Sequence, residues 1–73
     1  MSSVREMRFS EQYDCWMVEW NGRCYPLHCG EYFELVLGVI KVPCRLELGQ
    51  EWYLIMEGAR LNLRMQDTYK VRI

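Results

Sequence analysis

No stretch of this chain of 73 residues approaches the ~18 consecutive apolar positions that a membrane-spanning helix needs. Nor does the start, Met1-Ser2-Ser3-Val4-Arg5-Glu6-Met7-Arg8, carry the apolar core of a signal peptide, so the expected setting is cytoplasmic. Neither sign of charge is in excess: nine Lys and Arg stand against ten Asp and Glu, for a net charge of −1. Generic nucleic-acid binders draw most of their non-specific affinity from phosphate neutralisation and show a basic excess. The balance here counts against that class, except through a local basic face. Histidine occurs once, as His28, and proline twice. There is no amphipathic helical period, internal repeat, low-complexity tract or linker, which leaves a single domain over residues 1–73.

The chain is rich in apolar and aromatic side chains: 51% hydrophobic, with three Trp, five Tyr and two Phe. A domain this small buries only about 60% of its unfolded surface, and that supply lets it fold without a metal or a disulfide. The four cysteines, Cys15, Cys24, Cys29 and Cys44, are expected to be reduced thiols.

The clearest pattern lies between Glu31 and Met56, where two glycine breaks separate three apolar runs. In the middle run Ile40, Val42, Cys44, Leu46 and Leu48 alternate with Lys41, Pro43, Arg45 and Glu47. A period of two over nine residues marks a half-buried strand, because successive Cβ atoms point to opposite faces. Before it, residues 1–12 read as a loose end or a short edge strand. Residues 13–20 are a strand with Trp16, Val18 and Trp20 on one face. Asn21-Gly22 is a type I′ hairpin signal, and residues 23–27 return. Pro26 cannot donate to a ladder, which places that strand at an edge.

Residues 31–37 form the next strand, with Phe33, Leu35 and Leu37 inward, and Gly38 turns into the central strand. Gly49-Gln50 and Glu57-Gly58 flank a further strand over residues 51–56. Residues 59–65 are good helix formers, yet they alternate and are read as a short strand. Tyr69 to Ile73 alternates again, as a strand that closes a barrel. The expected fold is all-β: a small antiparallel five- to six-stranded SH3-like barrel or bent sheet.

The words Leu27-His28-Cys29-Gly30-Glu31-Tyr32-Phe33-Glu34-Leu35, Pro43-Cys44-Arg45-Leu46-Glu47, Trp52-Tyr53-Leu54 and Val71-Arg72-Ile73 give the chain a family likeness. Over residues 27–73 it resembles a family of small uncharacterised domains that Firmicutes encode, often on conjugative elements and prophages. The resemblance implies a small β fold and a mobile-element setting. It carries over no catalytic residue.

Chemistry-bearing residues are sparse. Cys15, Cys24, His28 and Cys29 offer a Cys₃His set, but structural zinc commonly takes two closely spaced Cys pairs, and only one Cys-x₄-Cys is present. Half-buried thiols are the plainer reading, and no metal or cofactor is expected. Cys24 or Cys29 with His28 fails as nucleophile and base, because neighbours on a tight turn rarely converge within hydrogen-bond reach. His28 is read as a surface turn residue.

Lys41, Arg45, Arg60, Arg64, Lys70 and Arg72 all fall on outward phases and would form a basic stripe if their strands are neighbours, interrupted by Glu47. The aromatics exceed what one small core holds. Trp16, Trp20, Phe33, Tyr53 and Tyr69 can be inside, leaving Tyr13, Tyr25, Tyr32 and Trp52 partly outside, unless Trp52 and Tyr53 exchange places. Surface Tyr and Trp beside Met17 and Met56 have the composition of a protein-binding patch; large rings capping the ends of a barrel have the same composition. The expected function is a non-enzymatic module that binds protein through Trp52, Tyr32, Met56 and Tyr25, as an accessory, adaptor or host-defence inhibitor. The alternative is nucleic-acid binding through the basic stripe.

Overall fold

The structure is a computed structural model that describes residues 4–73. The described residues form eight strands and no helix: β1 (Val4–Ser10), β2 (Cys15–Trp20), β3 (Arg23–Pro26), β4 (Tyr32–Leu37), β5 (Ile40–Leu48), β6 (Trp52–Met56), β7 (Ala59–Asn62) and β8 (Tyr69–Arg72). All belong to one antiparallel sheet of order β3-β2-β1-β8-β4-β5-β6-β7. Two meanders, β1–β3 and β4–β7, are joined by the last strand, which pairs with β1 on one side and β4 on the other.

The turns behave as their residues require. Asn21 and Gly22 both take positive φ, 52° and 75°, the combination that matches a two-residue hairpin to strand twist. Pro43 sits in the middle of the nine-residue β5 without a bulge. Leu37 and Ile40 flank a two-residue turn and so form a hydrogen-bonded pair; counting back by alternation makes Glu34 opposite Pro43 a non-hydrogen-bonded pair. The proline nitrogen therefore faces the β6 side, where β6 has already ended at Met56. No donor is missed there.

The sheet curls until distant strands meet. Four strand steps separate β1 from β6, about 19 Å in a flat sheet at about 4.8 Å per step. Yet the Phe9 and Trp52 ring centroids lie 6.4 Å apart. Inside the curl lie Met7, Trp16, Val18, Leu27, Phe33, Leu35, Cys44, Leu46, Leu54, Leu63 and Val71, with no buried polar or charged residue among those described. Trp16 is wholly enclosed, edge-on to Phe9 at 5.5 Å and to Tyr69 at 5.6 Å.

Three expectations are corrected. The sheet has eight strands rather than five or six, and it is not closed by hydrogen bonds into an SH3-like barrel. The strand expected to close a barrel, β8, instead lies in the middle of the sheet, while β3 and β7 are left as edges. Pro26 blunts the β3 edge, since its ring removes a donor.

The N-terminal segment is no loose end or edge over residues 4–10: it is β1, interior to the sheet, with Met7 fully buried. Residues 1–3 of that segment lie outside the described residues. Its alternation was hidden because Arg5 occupies an inner-face position, where its guanidinium lies 4.7 Å from the centre of the Trp20 ring. Trp20, expected in the core, is 45% exposed beyond the end of the curl, and Leu37 and Leu48 keep their inward phase but are also exposed.

Candidate functional site

The register fixes which side chains share the convex face. Glu6 lies opposite Lys70, Glu34 opposite both Arg72 and Pro43, Tyr32 opposite Arg45, Val36 opposite Lys41, and Ile55 opposite both Arg45 and Arg60. Five of the six predicted basic residues, Lys41, Arg45, Arg60, Lys70 and Arg72, therefore do share one face. Arg64 does not: it follows β7 in the loop to β8, 3.8 Å from Asp67.

The face is not a basic stripe, because carboxylates are interleaved with it. Arg72 lies 3.5 Å from Glu34, and Arg45 Nε lies 2.6 Å from Glu47 Oε2. Arg8, a further cation on this face, lies 2.6 Å from Glu6. Arg60 is laid over the Tyr53 ring at 3.7 Å from its centre and donates from Nε to Asn62 Oδ1. Such pairs offset part of the positive charge and leave a mixed surface rather than an unbroken basic one.

The four predicted protein-contact residues do not form one patch. Tyr25 lies on β3 with its ring 6.1 Å from Trp20. Trp52 faces the concave side against Phe9. Tyr32 lines a groove of about 450 Å³ on the convex face with Lys41, Pro43, Arg45 and Ile55. Met56, opposite Cys44 and in phase with Leu54 and Trp52, packs against the core and only borders that groove. Tyr32 is 74% exposed and stands at the flank of this groove. Arg45 steadies it, donating to the Tyr32 hydroxyl at 3.2 Å while its guanidinium lies 5.8 Å from the ring centre. The hydrogen bond to Tyr32 holds the Arg45 pKa above its ordinary value. Pro43 supplies an apolar patch with no donor, and β6 ends beside it, so the groove opens where the sheet loses a strand.

Cys15 and Cys24 line one concavity with Met17, Tyr13 and Pro26. Among the described residues no three His, Cys, Asp or Glu side chains gather as a metal-holding group, and all four cysteines are free. Cys44 is buried with its thiol 3.4 Å from the Phe33 carbonyl, and burial pushes its pKa up to about 11. His28 is turned into a local ring of bonds: Glu31 Oε1 accepts from the His28 backbone N–H and lies 3.0 Å from Nδ1.

A second concavity at the open mouth of the curl was missed by sequence reasoning, since Phe9 and Asp14 belong to the segment that looked loose or flanked it. The alternation of Met7 and Phe9 was the signal available. No helix among the described residues is long and apolar enough to cross a membrane.

Residues 5–73 match a family described as a domain of unknown function, DUF5348. The chain belongs to that family. A crystal structure of a protein from Ruminococcus gnavus, a structural-genomics target, is similar to this DUF5348 domain with a TM-score of 0.79 and 27% identity, covering 97% of this chain and 100% of that one. No curated protein matches it.

Proposed function

We propose that this DUF5348 domain is a non-enzymatic module that binds a protein partner through the convex groove flanked by Tyr32. One observation carries the reading: an exposed tyrosine, held by Arg45, stands beside a groove whose apolar convex-face side chains are Pro43 and Ile55. A rigid aromatic beside an apolar floor with polar groups at the rim is the composition of an interaction hot spot. The pairing of Arg45, Arg60 and Arg72 with partners on the same face weighs against the nucleic-acid alternative, which needs cations free to follow phosphates. In the mobile-element setting that the strand words imply, such a module serves in the cytoplasm as an accessory, an adaptor or an inhibitor of a host defence protein.

The test is capture from host lysate by the wild-type domain, by Tyr32→Ala, and by Arg45→Glu with Lys41→Glu, each with and without nuclease. The expected result is a protein that survives nuclease and high salt and is lost with Tyr32→Ala, where losing an anchor weakens binding by about 2 kcal/mol or more, roughly 30-fold. Retention that nuclease abolishes, and that the charge-reversed variant loses while Tyr32→Ala does not, would overturn the reading in favour of nucleic acid.

A further inference from the structure

At the mouth of the curl, on the side away from Tyr32, lies a groove of about 490 Å³. Its floor includes Phe9 and Trp52, whose ring planes are tilted by 59° with centroids 6.4 Å apart. A slender apolar group laid there meets two ring systems at once. The rim has one dominant sign. Asp14 and Glu51 line it, and Glu11 joins them in an adjoining hollow that shares Phe9 and Asp14. Among the described residues Arg64 is the one cation lining either concavity, and it is 3.8 Å from Asp67. Among the described residues, Glu11, Asp14 and Glu51 form no ion pair.

The backbone fixes this rim. Asp14 takes φ 53°, and the Tyr13 N–H donates to Ser10 Oγ at 3.2 Å, which tightens the turn that presents it. Aspartate tolerates that left-handed conformation better than most residues. Three carboxylates around an aromatic floor repel phosphates and acidic peptides, and they complement a side chain with an apolar stem and a cationic head.

We propose that the mouth groove binds a cationic segment of a protein partner, with an Arg or Lys stem lying on Phe9 and Trp52 and its head among Glu11, Asp14 and Glu51. This site is separate from the convex groove, and it stands or falls independently of it.

The test is a titration of isotope-labelled domain with an acetylated Arg-Leu-Arg-Leu-Arg amide, with its Glu-Leu-Glu-Leu-Glu counterpart, and with a thymidine oligomer. The basic peptide should shift the Trp52 indole N–H signal and the side-chain amides of Gln50 and Gln66, which line the same groove. The other two probes should leave these signals in place. The pair Asp14→Asn and Glu51→Gln should weaken binding by about tenfold or more. Asn keeps the positive φ, so the turn survives the change. Tyr32→Ala, on the convex face, should leave the titration unchanged even where it abolishes partner capture. No shift at millimolar peptide, equal shifts from the acidic peptide, shifts from the oligomer, or unchanged affinity in the double variant would each overturn the proposal.

Discussion

Replacing Met7 by alanine separates the observed fold from the fold that the N-terminal sequence suggests. In a loose end the change would lie within about 0.5 kcal/mol, as surface substitutions do. In the structure Met7 is fully buried on an interior strand, opposite Val18 on one side and Tyr69 on the other. Its side chain therefore lies at the junction of the two meanders, and truncation leaves a cavity between strands that are held on both sides. Large-to-small changes at such sites cost about 2–5 kcal/mol. For a domain of this size each kcal/mol lowers the melting temperature by about 4–8 °C, so a drop of roughly 8–40 °C is expected. Thermal unfolding followed by tryptophan fluorescence measures it, with Trp16 as the enclosed reporter. If the alanine variant fails to fold, Met7→Leu supplies the second point, since a volume-conserving exchange costs less than about 1.5 kcal/mol. A loss of only a few tenths of a kcal/mol for Met7→Ala would refute the interior placement of β1.

Gly22→Val should cost about 1–2 kcal/mol in urea unfolding, because φ is +75° and no atom lies within 4 Å of the added Cβ, so the penalty is one of backbone alone; an unchanged midpoint would remove the type I′ turn. The Cys44 thiol should resist thiol reagents at neutral pH until the chain unfolds, while Cys24 and Cys29, both exposed, react at once. Its titration also has a stability signature. Burial raises the folded pKa from 9.0 to about 11, so between those values the folded state holds a proton that the unfolded state has released. Stability from this group is then constant below about pH 9 and falls by roughly 2–3 kcal/mol as pH approaches 11. Cys44→Val should flatten that slope relative to the wild type, and an identical slope in both would refute the assignment.

Local sequence determined the strands whose alternation is uninterrupted and the turns whose backbone demands glycine or asparagine. β5 was legible because Val42, Cys44 and Leu46 keep a strict period, and the β2–β3 hairpin because Asn21-Gly22 permits positive φ. The outward phase of Lys41, Arg45, Arg60, Lys70 and Arg72 was likewise fixed by alternation alone. Sequence could not show which carboxylates would stand among them, since pairing across strands depends on sheet order.

That order was decided only in three dimensions. β8 is four residues long and carries no sign of its neighbours, yet its insertion between β1 and β4 is what turns two meanders into one sheet. β1 was read as a loose end or a short edge strand rather than an interior one because Arg5 broke its pattern, a break that Trp20 relieves from a different strand. Both grooves follow from the same cause. Tyr32 meets Arg45 across the β4–β5 pairing, and Phe9 meets Trp52 across the mouth, through sheet registration and curl. Contacts between residues so far apart in the chain are properties of the folded sheet rather than of any local run of side chains.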